Sequence, residues 1–214
     1  MITETVYLHF LNAISEGNKK ECINIVEDQL NNYTGIKDIY TKLIQRSMYK
    51  IGNDWEKNRT SVAAEHIATN ISASLLSIIY PQIIKTEKNG KKIVMTCIDK
   101  EFHELGARII SDYFEYKGWE SIYLGANTPQ NEIIEIIDLK EPELVGISCN
   151  FYMNILRLLK LINELNSKFP KQKIIIGGQA INHDNIEMFT KFKNVTVISD
   201  LDNVDKYLKK NFKN

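Results

Sequence analysis

The hydrophobic period of this chain changes near residue 90, and that change limits what it can fold into. Up to about residue 85 apolar residues recur at three- and four-residue intervals: Val6, Phe10 and Ile14; Cys22, Ile25, Val26 and Leu30; Ile39, Leu43, Ile44 and Met48; Ile67, Ile71, Leu75 and Ile78. This spacing puts each set on one face of an amphipathic helix. Gly17, the turn Tyr33-Thr34-Gly35 and the break Asn58-Arg59-Thr60 separate the segments, and Ser61 is placed to cap the last. Four antiparallel helices of this length make a small bundle. Residues 86–90, Thr-Glu-Lys-Asn-Gly, read as a polar linker.

Beyond the linker the pattern alternates. Short apolar runs at 92–98, 121–124, 144–148, 173–176 and 195–198 read as strands. Helical runs fall between and after them at 103–116, 131–139, 154–169, 186–192 and 204–212. Strands apolar on both faces and separated by helices imply a parallel sheet covered on both sides. The expected architecture is all-α plus α/β. A four-helix bundle spans 1–85, a linker 86–90, and a flavodoxin-like, doubly wound domain with a five-stranded parallel sheet 91–214. Ligands of such sheets bind beyond the carboxyl ends of the strands, near the topological switch point.

Bulk properties exclude more than they assign. With 27 basic and 27 acidic residues the formal charge is zero. There is thus no overall attraction for nucleic acid or an anionic membrane, and neither is expected as a partner. Cys22, Cys97 and Cys149 are widely spaced and form no C-x-x-C pair, so they read as buried thiols of a reducing compartment. The N-terminal sequence lacks the basic start and apolar run of a signal peptide. The most apolar stretch, residues 71–84, is interrupted by serines, Pro81 and Gln82 and reads as too short to span a bilayer. The expectation is a soluble cytoplasmic protein.

The residues best suited to chemistry follow the first strand, in Asp99-Lys-Glu-Phe-His103-Glu-Leu-Gly106. An imidazole is a good ligand for a transition metal such as cobalt. A carboxylate on its other nitrogen, here from Glu101, fixes the tautomer and raises basicity. Gly106 lets a large planar ring approach the backbone. His-x-x-Gly alone is equally the pattern of a surface histidine at a helix start. Other small or polar residues fall at neighbouring strand ends: Gly125-Ala126-Asn127-Thr128-Pro129 after the second strand, Ser148-Cys149-Asn150 after the third and Gly177-Gly178 after the fourth. They are candidates to line a slot in the sheet's top edge, although a double glycine also serves a tight strand-to-helix turn. His9 sits in the first helix and His183 in the polar segment Asn182-His183-Asp184-Asn185, and both read as surface residues. The pairs Lys19-Lys20, Lys91-Lys92 and Lys209-Lys210 read as solvated ends of elements.

Taken jointly, Glu-x-His-x-x-Gly, Leu-Gly-Ala-Asn-Thr-Pro, the serine and the double glycine resemble the cobalamin-binding domain of methionine synthase and its relatives, over residues 91–212. The resemblance implies His103 as the cobalt ligand in place of the cofactor's own base, with Glu101 as its carboxylate partner. It implies that the cofactor's tail enters a slot lined by Ser148, Gly177 and Gly178. Phe102, Leu105, Gly106, Gly125, Ala126, Asn127, Thr128 and Asn150 complete the expected cofactor contacts. Glu101 stands where many members carry Asp, and Asn150 where an apolar residue is usual.

In the helical half, Met48-Tyr-Lys-Ile-Gly52-Asn-Asp-Trp55 is followed after nine residues by Glu65-His66. Read alone, Trp55 could be a bundle-core residue and Glu65-His66 a solvated helix face. Beside the cobalamin motif, the pattern resembles the light-sensing half of CarH-type adenosylcobalamin photoreceptors. That resemblance implies a bundle covering the cofactor, with Trp55 against the adenosyl group and Glu65 and His66 above the upper face. Some of those receptors have a histidine directly after the tryptophan; here the residue is Glu56. Their winged-helix DNA reader has no counterpart before the bundle in this sequence. The expected function is a stand-alone, light-responsive sensor without catalysis of its own, favouring adenosylcobalamin and acting on a protein partner or through self-association. The alternatives are a methyl-carrying corrinoid protein, for which methylcobalamin would be the cofactor, and a relative holding haem through the same histidine.

Overall fold

The computed structural model describes residues 1–212, and the chain divides into two compact units, Met1–Lys85 and Thr86–Asn214.

The first unit is helical. Helices α1 (Glu4–Ser15) and α2 (Lys19–Asn31) each begin on a polar cap: the Thr3 hydroxyl accepts from Val6 N and the Asn18 side chain from Glu21 N. Such caps satisfy amides that the helix itself leaves unpaired. The third helical stretch is composite. One turn, α3 (Ile36–Asp38), passes through a π-helical segment, Ile39–Gln45, into α4 (Arg46–Glu56). The wider segment was not legible in the three-and-four spacing, although Ile39, Tyr40, Leu43 and Ile44 are all fully buried within it. The last helix, α5 (Val62–Ile83), starts as expected on Ser61, whose hydroxyl accepts from Ala64 N at 3.1 Å. It is longer than its apolar stripe suggested. By length and composition alone its 22 residues could cross a membrane. In this unit Ala68, Ile71, Leu75, Leu76, Ile79 and Ile83 are instead buried along one side.

The second unit alternates strictly: β1 (Lys92–Cys97), α6 (Leu105–Tyr116), β2 (Glu120–Gly125), α7 (Gln130–Lys140), β3 (Leu144–Ser148), α8 (Ile155–Lys168), β4 (Ile174–Gly177), α9 (Glu187–Thr190), β5 (Val195–Val197) and α10 (Leu201–Asn211). All pairings are parallel and the order is β2-β1-β3-β4-β5. This is the flavodoxin-like order, whose switch point lies between β1 and β3. Every residue of β3, and of β1 from Ile93 onward, is buried, as a sheet covered on both faces requires. Three helices differ from expectation, one of them α10, which starts on its Asp200 cap at Leu201 and not at residue 204. The stretch read as helical from residue 103 begins only at Leu105, leaving His103 in a loop. The stretch 186–192 keeps a single turn, Glu187–Thr190, after which Phe192 N turns back to Phe189 O at 3.1 Å and Val195 N to Phe192 O at 3.2 Å as the chain enters β5.

Residues 86–90, read as a linker, are tied along one side. The Asn89 amide donates to Gly118 O at 2.7 Å, its side chain to Lys117 O at 3.1 Å, and Lys88 Nζ to Trp119 O at 3.1 Å. Glycine is needed opposite them: at Gly118 φ is +82°, and a Cβ would lie 2.7 Å from the Glu87 carbonyl.

Candidate functional site

The chain after β1 does not enter α6 directly. Residues 99–104 form a loop at the β1/β3 switch point, and Lys100 adopts a left-handed φ of +65°. For a non-glycine residue this costs about 1 kcal/mol. Neighbouring crest residues hold it. Lys100 N donates to Asn127 Oδ1 at 3.0 Å, and Asn127 N returns a bond to Glu101 O at 2.8 Å, with Asn127 itself at φ +50°. The β1–β2 register also slips between Met95 and Thr96, a bulge of the kind that re-aims the end of a strand.

Glu101 is the hub of this loop. Its side chain is fully buried, and its oxygens accept five N–H groups. Oε1 pairs with His103 Nδ1 at 2.7 Å and accepts from His103 N at 3.0 Å. Oε2 accepts from Asn150 N at 2.8 Å, Phe151 N at 2.7 Å and Asn154 Nδ2 at 3.4 Å. Burial pushes this carboxyl up, but the His103 ring and the backbone amides of His103, Phe151 and Asn150 outweigh it, and the group is held down to about 2. It is therefore a fixed anion. Held on Glu101, Nδ1 takes the donor role, which leaves Nε2 the nitrogen with a lone pair for a metal. The ring is 64% exposed and lies 6.5 Å from Phe151, centroid to centroid, nearly parallel to it.

The remaining crest residues divide into two groups. Phe102 is exposed, and a Cβ on Gly106 would meet nothing within 4 Å, so one side of the His103 loop is open. Leu105 opens α6 on that side. Gly125 closes β2 at φ +87°, and Thr128 Oγ1 donates to its carbonyl at 3.4 Å across Ala126 and Asn127. Gly177 and Gly178, by contrast, answer backbone packing. A Cβ at Gly177 would lie 2.6 Å from Ile198 O, and one at Gly178, where φ is +111°, 2.2 Å from Cys149 O. Ser148 Oγ and Asn150 Nδ2 are 3.2 Å apart, and Asn150 Nδ2 also donates to His103 O at 2.8 Å.

Asn154 was missed by sequence reading. It is buried, and its Nδ2 holds Lys100 O at 3.1 Å as well as Glu101. Only its place at the start of the helical run 154–169 could have drawn attention to it. The thiols are inert. All three cysteines are buried and free, and burial pushes Cys97 and Cys149 up to about 12.

In the helical unit, Trp55 lies on the last turn of α4 and is 45% exposed, so it is not a core residue. Glu65 and His66 lie on the first turns of α5, joined to α4 by the short turn 57–61, which puts all three residues at one end of the bundle. Thr69 Oγ1 donates to Glu65 Oε1 at 2.8 Å, while the His66 ring is 69% exposed and 3.8 Å from Glu65 Oε2. His9 is also exposed, with Nε2 3.1 Å from Glu21 Oε1.

The donor set fits a corrinoid. Among the described residues no group of three or more His, Cys, Asp or Glu side chains is placed to hold a metal ion. A metal at His103 would therefore draw its other ligands from a macrocycle, and the open side at Gly106 gives a flat ring room. Comparison with known proteins decides the class. The B12 binding domain matches residues 91–198, and a second B12 binding domain matches residues 9–80.

The chain belongs to the B12-binding domain family.

It is thus a cobalamin-binding protein, and the haem alternative gives way. Methionine synthase of Mycobacterium leprae is 22% identical over 98 residues, which are 45% of this chain and 8% of that protein. The HTH-type transcriptional repressor CarA of Myxococcus xanthus is 27% identical over 90 residues, 42% of this chain and 31% of that one. The chain therefore spans well under half the length of these two relatives. Among solved structures, the monomethylamine corrinoid protein of Methanosarcina barkeri superposes with a TM-score of 0.85 at 16% identity, covering 97% of this chain and 99% of that one. Helical bundle and parallel sheet together therefore make the fold of a corrinoid protein.

Proposed function

We propose that this B12-binding protein is a light-responsive sensor of adenosylcobalamin. In this reading His103 is the lower ligand of cobalt, and Trp55, Glu65 and His66 recognise the adenosyl group. The observation that carries it is the placement of a half-exposed tryptophan and a Glu-His pair at one end of the helical unit. None of the three is used by the bundle core. An indole offers a wide apolar face to a purine, and carboxylate and imidazole offer hydrogen bonds to ribose hydroxyls. Bound adenosylcobalamin supplies a cobalt–carbon bond that light cleaves. The protein's part is to bind the adenosyl form in preference to others, so that its loss changes which conformation is stable. Partial similarity to CarA is consistent with this role.

A second reading, a corrinoid protein that carries methyl groups between methyltransferases, is supported by the full-length likeness to the monomethylamine corrinoid protein and by similarity to monomethylamine corrinoid protein 2 of Methanosarcina acetivorans, 21% identical over 138 residues, 63% of this chain and 64% of that one. One experiment separates the two. The chain is loaded with adenosylcobalamin or methylcobalamin, and affinity and light-scattering mass are recorded in the dark and after illumination. The sensor reading requires tighter binding of the adenosyl form and a light-dependent change in assembly or compactness. Equal affinities with no effect of light would hand the role to the methyl carrier.

A further inference from the structure

Asn150 occupies a position where sequence reasoning expected a direct cofactor contact, yet its side chain is consumed within the protein. Nδ2 has two hydrogens: one meets His103 O at 2.8 Å and the other Ser148 Oγ at 3.2 Å. Oδ1 accepts from Gln179 N at 3.1 Å, in the turn after β4. Its backbone N–H donates to Glu101 Oε2 at 2.8 Å. One residue thus bonds to the β1 loop, the end of β3 and the β4 turn.

His103 needs such support. Its ring is 64% exposed, and besides Glu101 the group stacked near it is Phe151, at a centroid distance of 6.5 Å. The ring is aimed by its Nδ1 bond to Glu101 together with the backbone that carries it. That backbone is gripped from both sides: the N–H by Glu101 Oε1 at 3.0 Å and the carbonyl by Asn150 Nδ2. The bonds close a circuit, from Asn150 N–H to Glu101, from Glu101 to His103 N–H, and from the His103 carbonyl back to the Asn150 amide.

We infer that Asn150 is a positioning residue for the lower ligand, and that its amide fixes the His103 backbone so that the imidazole is presented to cobalt in one orientation. This rests on the reading of His103 as the ligand. A leucine here could make none of the side-chain bonds. An aspartate would keep an acceptor for Gln179 N but could not donate to the His103 carbonyl. The loss of such an outer partner weakens metal binding about 10-fold or more.

The test uses the full chain, its histidines labelled with nitrogen-15, saturated with cob(II)alamin, whose electron paramagnetic resonance shows doublet splitting when a labelled imidazole is the axial ligand and triplet splitting when the cofactor's own base is. Wild type, Asn150→Leu, Asn150→Asp and His103→Ala are compared, with circular dichroism of each apoprotein. Both Asn150 variants are expected to show a reduced histidine-ligated fraction at saturation and about 10-fold weaker binding. A residue that served stability alone would lower the melting temperature without changing that fraction. Should Asn150→Leu fail to fold, Asn150→Asp decides. A wild-type spectrum and affinity in Asn150→Asp, alongside a lost signal in His103→Ala, would overturn this inference alone. An unchanged spectrum in His103→Ala would overturn the ligand assignment and the inference with it.

Discussion

Replacing Glu101 with glutamine keeps the volume of a fully buried side chain and removes its charge. A carboxylate there accepts from five N–H groups, three on Oε2 and two on Oε1. A glutamine presents one oxygen and one NH2. The less costly orientation turns the oxygen toward Asn150, Phe151 and Asn154, so that the NH2 faces His103. The His103 backbone N–H then loses its acceptor, which costs about 1–2 kcal/mol for a part-buried donor. The remaining bonds fall from charge-assisted to neutral strength, which costs about another 1–2 kcal/mol, and relief of the buried charge offsets part of the sum. A net loss of about 2–3 kcal/mol follows. For a unit of this size, each kcal/mol lowers Tm by about 3–5 °C, so the apoprotein should melt roughly 10 °C lower in scanning calorimetry. The substitution also acts on function. Facing an NH2 donor, Nδ1 becomes the acceptor and the proton moves to Nε2, which can then no longer bind a metal. Glu101→Gln should therefore lose the histidine-ligated spectrum while still containing His103. An apoprotein that melts within about 2 °C of wild type, or a holoprotein with the wild-type spectrum, would refute the hub role.

Gly106 and Gly178 should respond oppositely to alanine. Gly106→Ala meets open space inside α6, so apoprotein stability should hold or rise by up to about 1 kcal/mol, while cobalamin titration shows weaker binding if the ring lies against that face. Gly178→Ala puts a Cβ 2.2 Å from the Cys149 carbonyl at a φ of +111°, and urea unfolding should show a loss above about 3 kcal/mol. Trp55→Ala should reduce the preference for adenosyl over methylcobalamin without altering the histidine-ligated spectrum, as measured by competitive titration. Asp200 caps α10 by accepting from Asn203 N at 2.7 Å; burial raises its carboxyl, but this amide, Ser199 and neighbouring groups outweigh it and hold it below the ordinary value. Its stabilisation is accordingly present above the usual aspartate range and lost as pH falls from that range through the lowered value of the folded state. Asp200→Ala should cost about 1 kcal/mol at pH 7, and the gap to wild type should close in denaturant titrations below about pH 4.

The features legible in the sequence are those encoded within a few residues. The change of hydrophobic period separated bundle from sheet, because a helix and a buried strand expose their side chains at different intervals. The Ser61 cap, the His103 loop and the spacing from Trp55 to Glu65-His66 are equally local. Where a local cause was subtle, the reading drifted: the π-helical segment Ile39–Gln45 keeps its residues buried without disturbing the apolar count, and the helix that periodicity extended to residue 192 ends at Thr190, where the chain turns toward β5. What tertiary structure alone decided is the wiring of the site. Glu101 is an anion held down to about 2 by the His103 ring and amide, two residues away, and by the Phe151 and Asn150 amides, some fifty residues away and brought to it by the pairing of β3 beside β1. Gly177 and Gly178 looked like the lining of a slot, but the close approach of Ile198 and Cys149 gives them a packing reason as well. Sequence period reports which face of an element is apolar; which distant amide meets a given carboxylate depends on strand order, and strand order exists only in the folded chain.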